Sequence, residues 1–339
     1  MRQENMRRLI SVGSLVVLMA FFAITSDGFL SMTNLMSILR ESSIIGIVAV
    51  GVTFVIITAG IDLSTGAQIG FISMVCAYLI YYFALPAPVI LIVAIVTGLI
   101  CGCINGFIVA KLRVPEFIAT LSTQYLFRSM VFVFAIREGG VITNKLIKDR
   151  GILLWGGSID GLYLVTIAFI VLVVLGQLLL KKTKFGTYTY ATGSNRKSAD
   201  LSGIDTAKVR FLIFVMIGFL CGLAAMFEIG RIGSVTTDLG TGMEFEIISA
   251  VVIGGVAMSG GRGDVAGAAI GALFMAVLQN GVLRYNLPTA TQLIIRGVVI
   301  VIMVVFDSAY NKIQQERIMR KAREIEDTPA PAAQAGGEA

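Results

Sequence analysis

Apolar runs broken by charge and proline set the layout of this chain. Residues 9–26 lie between Arg8 and Asp27 without a charge, and 42–61 lie likewise between Glu41 and Asp62. The run 63–110 is too long for one helix, and Leu85-Pro86-Ala87-Pro88 divides it, because proline lacks an N–H and clashes with the preceding turn. Further apolar runs cover about 117–136 (with Arg128 inside), 161–180, 211–227, 245–259, 265–283 and 290–307 (with Arg296 inside). A spanning helix needs roughly 20 mostly apolar residues. The pattern therefore predicts an all-α polytopic membrane protein of about ten transmembrane helices. The run 245–259 is short and Gly-rich and reads as a broken or re-entrant helix. Arg7-Arg8 before the first run imitates a signal peptide, but the run is long and Ala23-Ile24-Thr25 is a poor cleavage site, so a retained helix is expected.

Two segments fall outside this pattern. Residues 181–210 form the longest polar loop, in which Asn195 or Ser194 can cap a short helix near 196–202 and Gly203 can end it. Residues 311–339 form a tail, charged at first and then low in complexity, TPAPAAQAGGEA, which reads as disordered. The expected organisation is a membrane domain over 1–310, containing the loop 181–210, followed by the tail.

Composition agrees with burial in lipid. Of 339 residues, 56% are apolar and 14% charged, against about 45–50% and about 25% in soluble domains. This excludes a soluble enzyme, a disordered chain and a disulfide scaffold. The absence of histidine removes the commonest general base and metal ligand, and no metal site is expected. Cys101-Gly102-Cys103 reads as small packing residues. The net charge of +6 suits a membrane protein better than a nucleic-acid binder. With the N-terminus inside and ten spans threaded, 18 of the 27 Lys and Arg fall on the cytoplasmic side. Both termini are then cytoplasmic.

Polar residues at breaks and inside spans are the candidates for function. Gly60-Ile61-Asp62-Leu63-Ser64-Thr65-Gly66 joins the second and third spans, where Asp62 can cap the next helix or the break can shape a translocation path. The stretch from Gly254 to Gly267 repeats the plan of apolar run, Gly-rich break, Asp and apolar run. Paired interruptions of this kind point to a transport path; the glycines also permit close helix packing. Arg128 and Arg296 sit inside spans, where a charge costs about 2.5–3.5 kcal/mol at mid-depth, so each must face protein, water or the interface. Asn105, Gln124 and Gln279 are weaker candidates for the same path. No G-x-x-x-x-G-K-[ST] occurs, so the chain carries no ATPase motif, and no catalytic residue or enzyme activity is expected.

At these motifs the chain resembles the inner-membrane permease subunit of ribose-type ABC importers, the branch carrying ribose, xylose, galactose and autoinducer-2 permeases. The matching stretches are TAGIDLSTGA, INGFIVAKLRVPEFIATLST, ATGSNRKSADLSGI, FEIISAVVIGGVAMSGGRGDVAGAAIGAL and IIRGVVIVIMVVFD, in order over about residues 8–308. The resemblance implies a bacterial cytoplasmic membrane, import of a monosaccharide such as ribose, and a second permease chain, identical or paralogous. It also implies a separate ABC ATPase subunit that binds ATP and Mg, leaving no cofactor in this chain, and an extracytoplasmic sugar-binding protein docking on outer loops such as 137–160 and 229–243. Membrane lipid is the remaining partner and nucleic acid is not one. The loop from Gly193 to Ile204 resembles the family's coupling helix, with Gly193, Asn195, Ser198, Ala199, Gly203 and Ile204 as contacts to the ATPase. Members often carry a more acidic or Ala-rich stretch where this chain has Arg196-Lys197-Ser198-Ala199-Asp200. The competing class is a secondary transporter or channel for a small polar solute. It is disfavoured because Asp62, Glu116, Glu228, Glu244, Glu246, Asp264 and Asp307 lie at or near span ends, whereas ion coupling uses carboxylates at mid-depth.

Overall fold

A computed structural model describes residues 2–137, 140, 141, 143, 145–295, 297–299, 301, 302 and 305, with side chains for all but 2–10, 137, 140 and 141. Arg296, Asp307 and the tail 311–339 lie outside the described residues. The helices are α1 (Arg2–Thr25), α2 (Met32–Ile57), α3 (Thr65–Phe83), α4 (Ala87–Gly106, continued by a π turn over Phe107–Lys111), α5 (Glu116–Ala135), α6 (Arg150–Leu153), α7 (Leu164–Lys182), α8 (Lys184–Ser194), α9 (Arg196–Leu201), α10 (Thr206–Ile232), α11 (Met243–Ile253) and α12 (Val265–Leu283). Residues 289–295 are helical again. Two antiparallel hairpins, β1 (Ile136–Arg137) with β2 (Gly140–Val141) and β3 (Ser158–Ile159) with β4 (Leu162–Tyr163), lie between α5 and α7. The apolar pattern does not predict them, because two-residue strands carry no readable periodicity.

Among the described residues seven helices are long and apolar enough to cross a membrane: α2, α3, α4 with its π turn, α5, α7, α10 and α12. The apolar part of α1, Ser11–Thr25, is shorter, as is the apolar stretch that starts at Thr289. The chain is a polytopic, all-helical membrane protein. Its lipid-facing surface is apolar, as on α7, where Ile170, Val171, Val174, Leu175 and Leu178 are all exposed.

The bundle is built around α2, in which every residue from Ser42 to Ile57 is buried. It packs against α7, α10, α11 and α12. The closest helix pair is α4 with α10. Gly98, Gly102 and Gly106 recur every fourth residue on α4, and Gly218 and Gly222 do so on α10. A Cβ at Gly98 would overlap the Gly218 carbonyl, and one at Gly218 would overlap that of Gly98. Lipid supplies no hydrophobic drive for helix association, so backbones this close gain their stability from dispersion contacts.

The two ends of the bundle differ. At one end, the hairpin end, Tyr285 Oη donates to Thr25 Oγ1 at 2.6 Å and Arg284 Nη1 donates to the Asp27 carbonyl at 2.8 Å. Arg40 Nη2 reaches the Gly156 carbonyl at 2.9 Å, and its guanidinium lies over the Tyr163 ring. The opposite, elbow end carries α8 and α9, which make a bent pair of short helices. The sequence pattern predicts α9 but not α8.

The run 245–259 is not one spanning helix. After α10 the chain turns at Gly233 and folds back into the bundle, where Gly240 lies against Gly66 and Leu239 against Gly70, both in the first turns of α3. Only then does α11 begin, and its 11 residues run on toward the elbow end. This crossing is half coil and half helix. The coil needs Gly240 and Gly242 at φ of 79° and 83°, and it is tolerated at depth because protein covers it. Gly233, Val235, Leu239 and Gly240 are buried in the bundle while Asp238 and Thr241 stay exposed, so the expectation of a free outer loop over 229–243 fails for the buried residues.

Candidate functional site

The first break, between α2 and α3, is held by side chains. Asp62 is fully buried, and its Oδ1 accepts from the Ser64 N–H at 2.8 Å and from Ser64 Oγ at 2.6 Å. Asp62 therefore closes its own turn and does not cap α3; the residue preceding that helix, Ser64, makes no side-chain cap either. Ser64 Oγ in turn accepts from Gln68 Nε2 at 2.8 Å and Asn105 Nδ2 at 2.7 Å, so the break is tied to α4. On the other side Thr120 Oγ1 of α5 accepts from the Leu63 N–H at 3.1 Å. Asp62, Ser64, Gln68 and Asn105 are all fully buried, and Asp62 Oδ2, Gln68 Oε1 and Asn105 Oδ1 have no hydrogen-bond partner among the described residues. An acceptor left unpaired at depth costs roughly 1–3 kcal/mol, so these residues have more acceptor capacity than the packed break uses.

The candidates on α5 fix the coil that precedes α11. Arg128 Nη1 donates to the Leu239 carbonyl at 2.8 Å and to that of Thr237 at 3.4 Å. Gln124 Nε2 donates to Glu244 Oε1 at 2.8 Å. On α12, Gln279 Nε2 donates to Glu246 Oε1 at 3.1 Å. Glu244 and Glu246 occupy the first turn of α11, which starts partway through the bundle. This corrects the expectation that every carboxylate lies near a span end. Glu228 lies about one turn before the end of α10, near a span end as expected, buried and gripped by Arg231 Nε and Nη2 at 3.0 and 2.6 Å.

The second break, from Gly254 to Asp264, is held mostly by backbone. A Cβ at Gly254 would overlap the Gly267 carbonyl, and one at Gly271 would overlap the Ala250 carbonyl, so α11 and α12 meet without side chains between them. Asp264 caps α12 by accepting from the Gly267 N–H at 2.7 Å, and Gln177 Oε1 of α7 accepts from the N–H groups of Val265 and Ala266 at 3.1 and 3.2 Å.

The elbow joins the two breaks. The Gly261 N–H donates to the Ile57 carbonyl at 2.8 Å, linking the end of α2 to the loop after α11. Gly193, the penultimate residue of α8, lies on this link: a Cβ there would overlap the Ile57 carbonyl and crowd the Gly261 nitrogen. Tyr190 Oη donates to the Gly263 carbonyl at 2.6 Å. Beyond Gly193 the chain bends at Asn195, whose side chain accepts from the Ser198 N–H at 3.0 Å and starts α9. Ala199 is buried beneath α9, while Asn195, Ser198 and Gly203 are exposed and Leu201 is 83% exposed. Gly203 ends the helix at φ 83°, and the Ile204 N–H donates back to the Ala199 carbonyl at 3.1 Å. Thr206 Oγ1 donates to Asp200 Oδ1 at 2.6 Å, bracing the exit. At the same end Arg210 of α10 pairs with Glu116 of α5, a contact the loop charges alone do not reveal.

The structure thus groups Asp62, Ser64 and Asn105 in one cluster, puts Gln124 and Arg128 on the coil beside α3, places Gln279 apart against α11, and gathers the elbow residues at a third place. Gln68 and Thr120 join these sites without having been singled out, and Glu244, read only as a span-end carboxylate, joins them too, although Gln68 lies one turn after Ser64 on a helix, a spacing that marks it as a neighbour. Among the described residues no group of three or more Cys, Asp or Glu is arranged to hold a metal. Cys101 is buried and Cys103 exposed, so only half of that pair packs in the core.

A bundle crossed by discontinuous segments, with polar side chains at its breaks and a helical elbow seated on both, defines a membrane permease. Residues 34–304 match the family of branched-chain amino acid transport system permease components, and the chain belongs to that family. It is 32% identical to the xylose transport system permease protein of Haemophilus influenzae, covering 92% of this chain and 99% of that one. It is 34% identical to the ribose import permease protein of Escherichia coli K12 over 88% of this chain and 92% of that one. The figure is 36% against the ribose import permease protein of Bacillus subtilis, over 86% and 90%. No solved structure matches the chain. As a permease component it is the membrane-crossing member of an ABC importer and not itself an ATPase. ATP binding belongs to a separate subunit, and an ATPase and a binding protein are its partners. The alternative of a self-sufficient secondary transporter or channel is set aside by this membership.

Proposed function

We propose that this chain imports a pentose-class monosaccharide, such as ribose or xylose, across a bacterial cytoplasmic membrane as one of two permease chains. The substrate class is supported by the ribose and xylose permeases among its relatives. The elbow end faces the cytoplasm, because residues 181–210 carry seven Lys and Arg. With an even number of crossings both termini lie there too. The ATPase docks on α9 through Asn195, Ser198, Gly203, Ile204 and the exposed Leu201. The binding protein docks at the hairpin end, where Leu146, Leu154 and Ile159 are exposed.

The observation that carries this reading is the position of Gly193. A displacement of α8 and α9 by the ATPase acts at one point on the end of α2 and on the loop after α11, and so on both breaks. The break residues Asp62, Ser64 and Asn105, with Gln124 and Arg128 on the coil, hold the segments that rearrange as the path opens to alternate sides. In the test, the tagged chain is purified from its native membrane in mild detergent and copurifying proteins are identified by mass. An ABC ATPase is expected with the wild type and is expected to be lost from Gly203→Glu, which still inserts. Recovery of the wild-type chain alone, under conditions that hold known ABC complexes together, overturns the proposal.

A further inference from the structure

Two spans of this bundle are equally exposed and differ in what they expose. In α5 and α7 alike only 28% of the most apolar stretch is buried by the rest of the chain. The outward side chains of α7 are Ile167, Ile170, Val171, Val174, Leu175 and Leu178, the surface that lipid selects. The helix α5 is the least apolar of the seven spans, and its outward face carries Ser122, Tyr125 and Ser129. Steps of three and four residues put these three on one stripe, at consecutive turns in the middle of the helix.

An outward polar stripe at mid-depth calls for water or protein against it. Ser122 alone would be compatible with lipid, because its Oγ donates to the Ile118 carbonyl at 2.8 Å. Tyr125 is incompatible with it. It is 69% exposed, and its phenol is too long to bond its own helix backbone. It also lies in the middle of Glu116–Ala135, roughly 14 Å from either end, beyond the reach of a ring that snorkels to the headgroups. Neither the Tyr125 hydroxyl nor that of Ser129 meets a partner among the described residues. On the inner side of the same helix Gln124 and Arg128 hold Glu244 and the coil before α11. The stripe itself holds hydroxyls and no charge. A hydroxyl both donates and accepts, which suits a neutral polyhydroxyl solute and its water better than an ion. No described helix of this chain covers the stripe, so a second permease chain is what keeps lipid from it.

We infer that the outward face of α5 lines the passage between this chain and the second permease chain, with Ser122, Tyr125 and Ser129 meeting the sugar and its water as it crosses. The inference rests on the two-chain, sugar-import reading and says which face of this chain turns to the path and which, that of α7, turns to lipid.

For the test, the complex with its ATPase and binding protein is reconstituted in proteoliposomes in a Cys103→Ser background, since Cys103 is exposed and the other three cysteines are buried. Ser129→Cys and, as the control on α7, Leu175→Cys are treated with a charged methanethiosulfonate, which modifies thiols that water reaches as thiolates. Ser129→Cys is expected to react roughly tenfold faster or more, because a thiol facing lipid ionises far less, and only its modification is expected to block D-ribose uptake. Tyr125→Leu, a change that lipid would accept, is expected to slow D-ribose uptake about fivefold, the worth of one neutral hydrogen bond. Equal modification of the two cysteine variants, with and without ATP, overturns the inference, since α5 then faces lipid or a dry contact between the chains. So does full uptake by Tyr125→Leu. A wild-type complex that moves no pentose, in a system where the labelling contrast holds, leaves the α5 path standing and breaks the sugar-import reading.

Discussion

The two glycine-rich breaks look alike as sequence and are built in opposite ways. The break at Gly60–Ser64 is a polar knot, in which Asp62, Gln68 and Asn105 all bond Ser64 and Thr120 of α5 takes the Leu63 N–H. The break at Gly254–Asp264 is a backbone joint, in which glycines of α12 and of the loop let main chains touch. A knot of this kind tolerates a change of volume but not of hydrogen bonding; a joint has the reverse sensitivity. Glycine followed by aspartate does not distinguish the two, but the residues around it do: Ser64 and Gln68 sit a turn apart in the first, whereas the second repeats only Gly and Ala.

Single substitutions test that contrast. The largest effect is expected at the joint. Gly271→Ala drives a methyl into the Ala250 carbonyl, and overpacking of this sort typically costs about 1–3 kcal/mol, more where backbone cannot move. It should sharply reduce the monodisperse fraction on size exclusion in detergent, and a normal elution profile would refute the tight contact. At the knot, Asp62→Ala removes an acceptor from two buried donors and should cost about 2–3 kcal/mol, whereas Asp62→Asn keeps one carbonyl oxygen for them and should cost less than half as much. Thermal unfolding of the two variants decides this, and equal melting points would mean that Asp62 does not hold the break. Tyr190→Phe loses only the bond to the Gly263 carbonyl, about 1 kcal/mol, and should lower the melting point slightly. Similarly small for folding is Gly203→Glu, since no atom lies within 4 Å of the added Cβ and only the left-handed φ resists it, at about 1 kcal/mol. That variant should insert normally yet lose ATP-driven uptake. Full uptake would remove α9 from the coupling role.

The spans were legible because lipid selects long uncharged runs, and Pro86 and Pro88 cut the longest of them at the correct place. The bend at Asn195 and the stop at Gly203 were legible too, since capping is local chemistry. The helix α8 was not. Its sequence KFGTYTYATGS is rich in glycine and β-branched residues of low helix propensity, and packing at Gly186 and Gly193 makes it a helix. The meeting of Gly193 with Ile57 and Gly261 joins residues more than sixty positions apart and leaves no periodic trace. Glu41 and Glu228 read as span-edge charges for the same reason, because only the folded bundle brings them both to Arg231. Candidate residues were thus found where a break announced itself locally and missed where distant helices supply them.

The start of α11 within the bundle has an electrostatic consequence. The first turn of a helix carries roughly half an elementary positive charge in unsatisfied N–H groups, and a low-dielectric interior screens it poorly. In a bare half-helix this terminus would attract any passing anion. Here Glu244 and Glu246 occupy that first turn, so the positive end is met by carboxylates of its own chain. Two carboxylates outweigh that half charge, so the start of α11 repels an anion where a bare helix terminus would attract one.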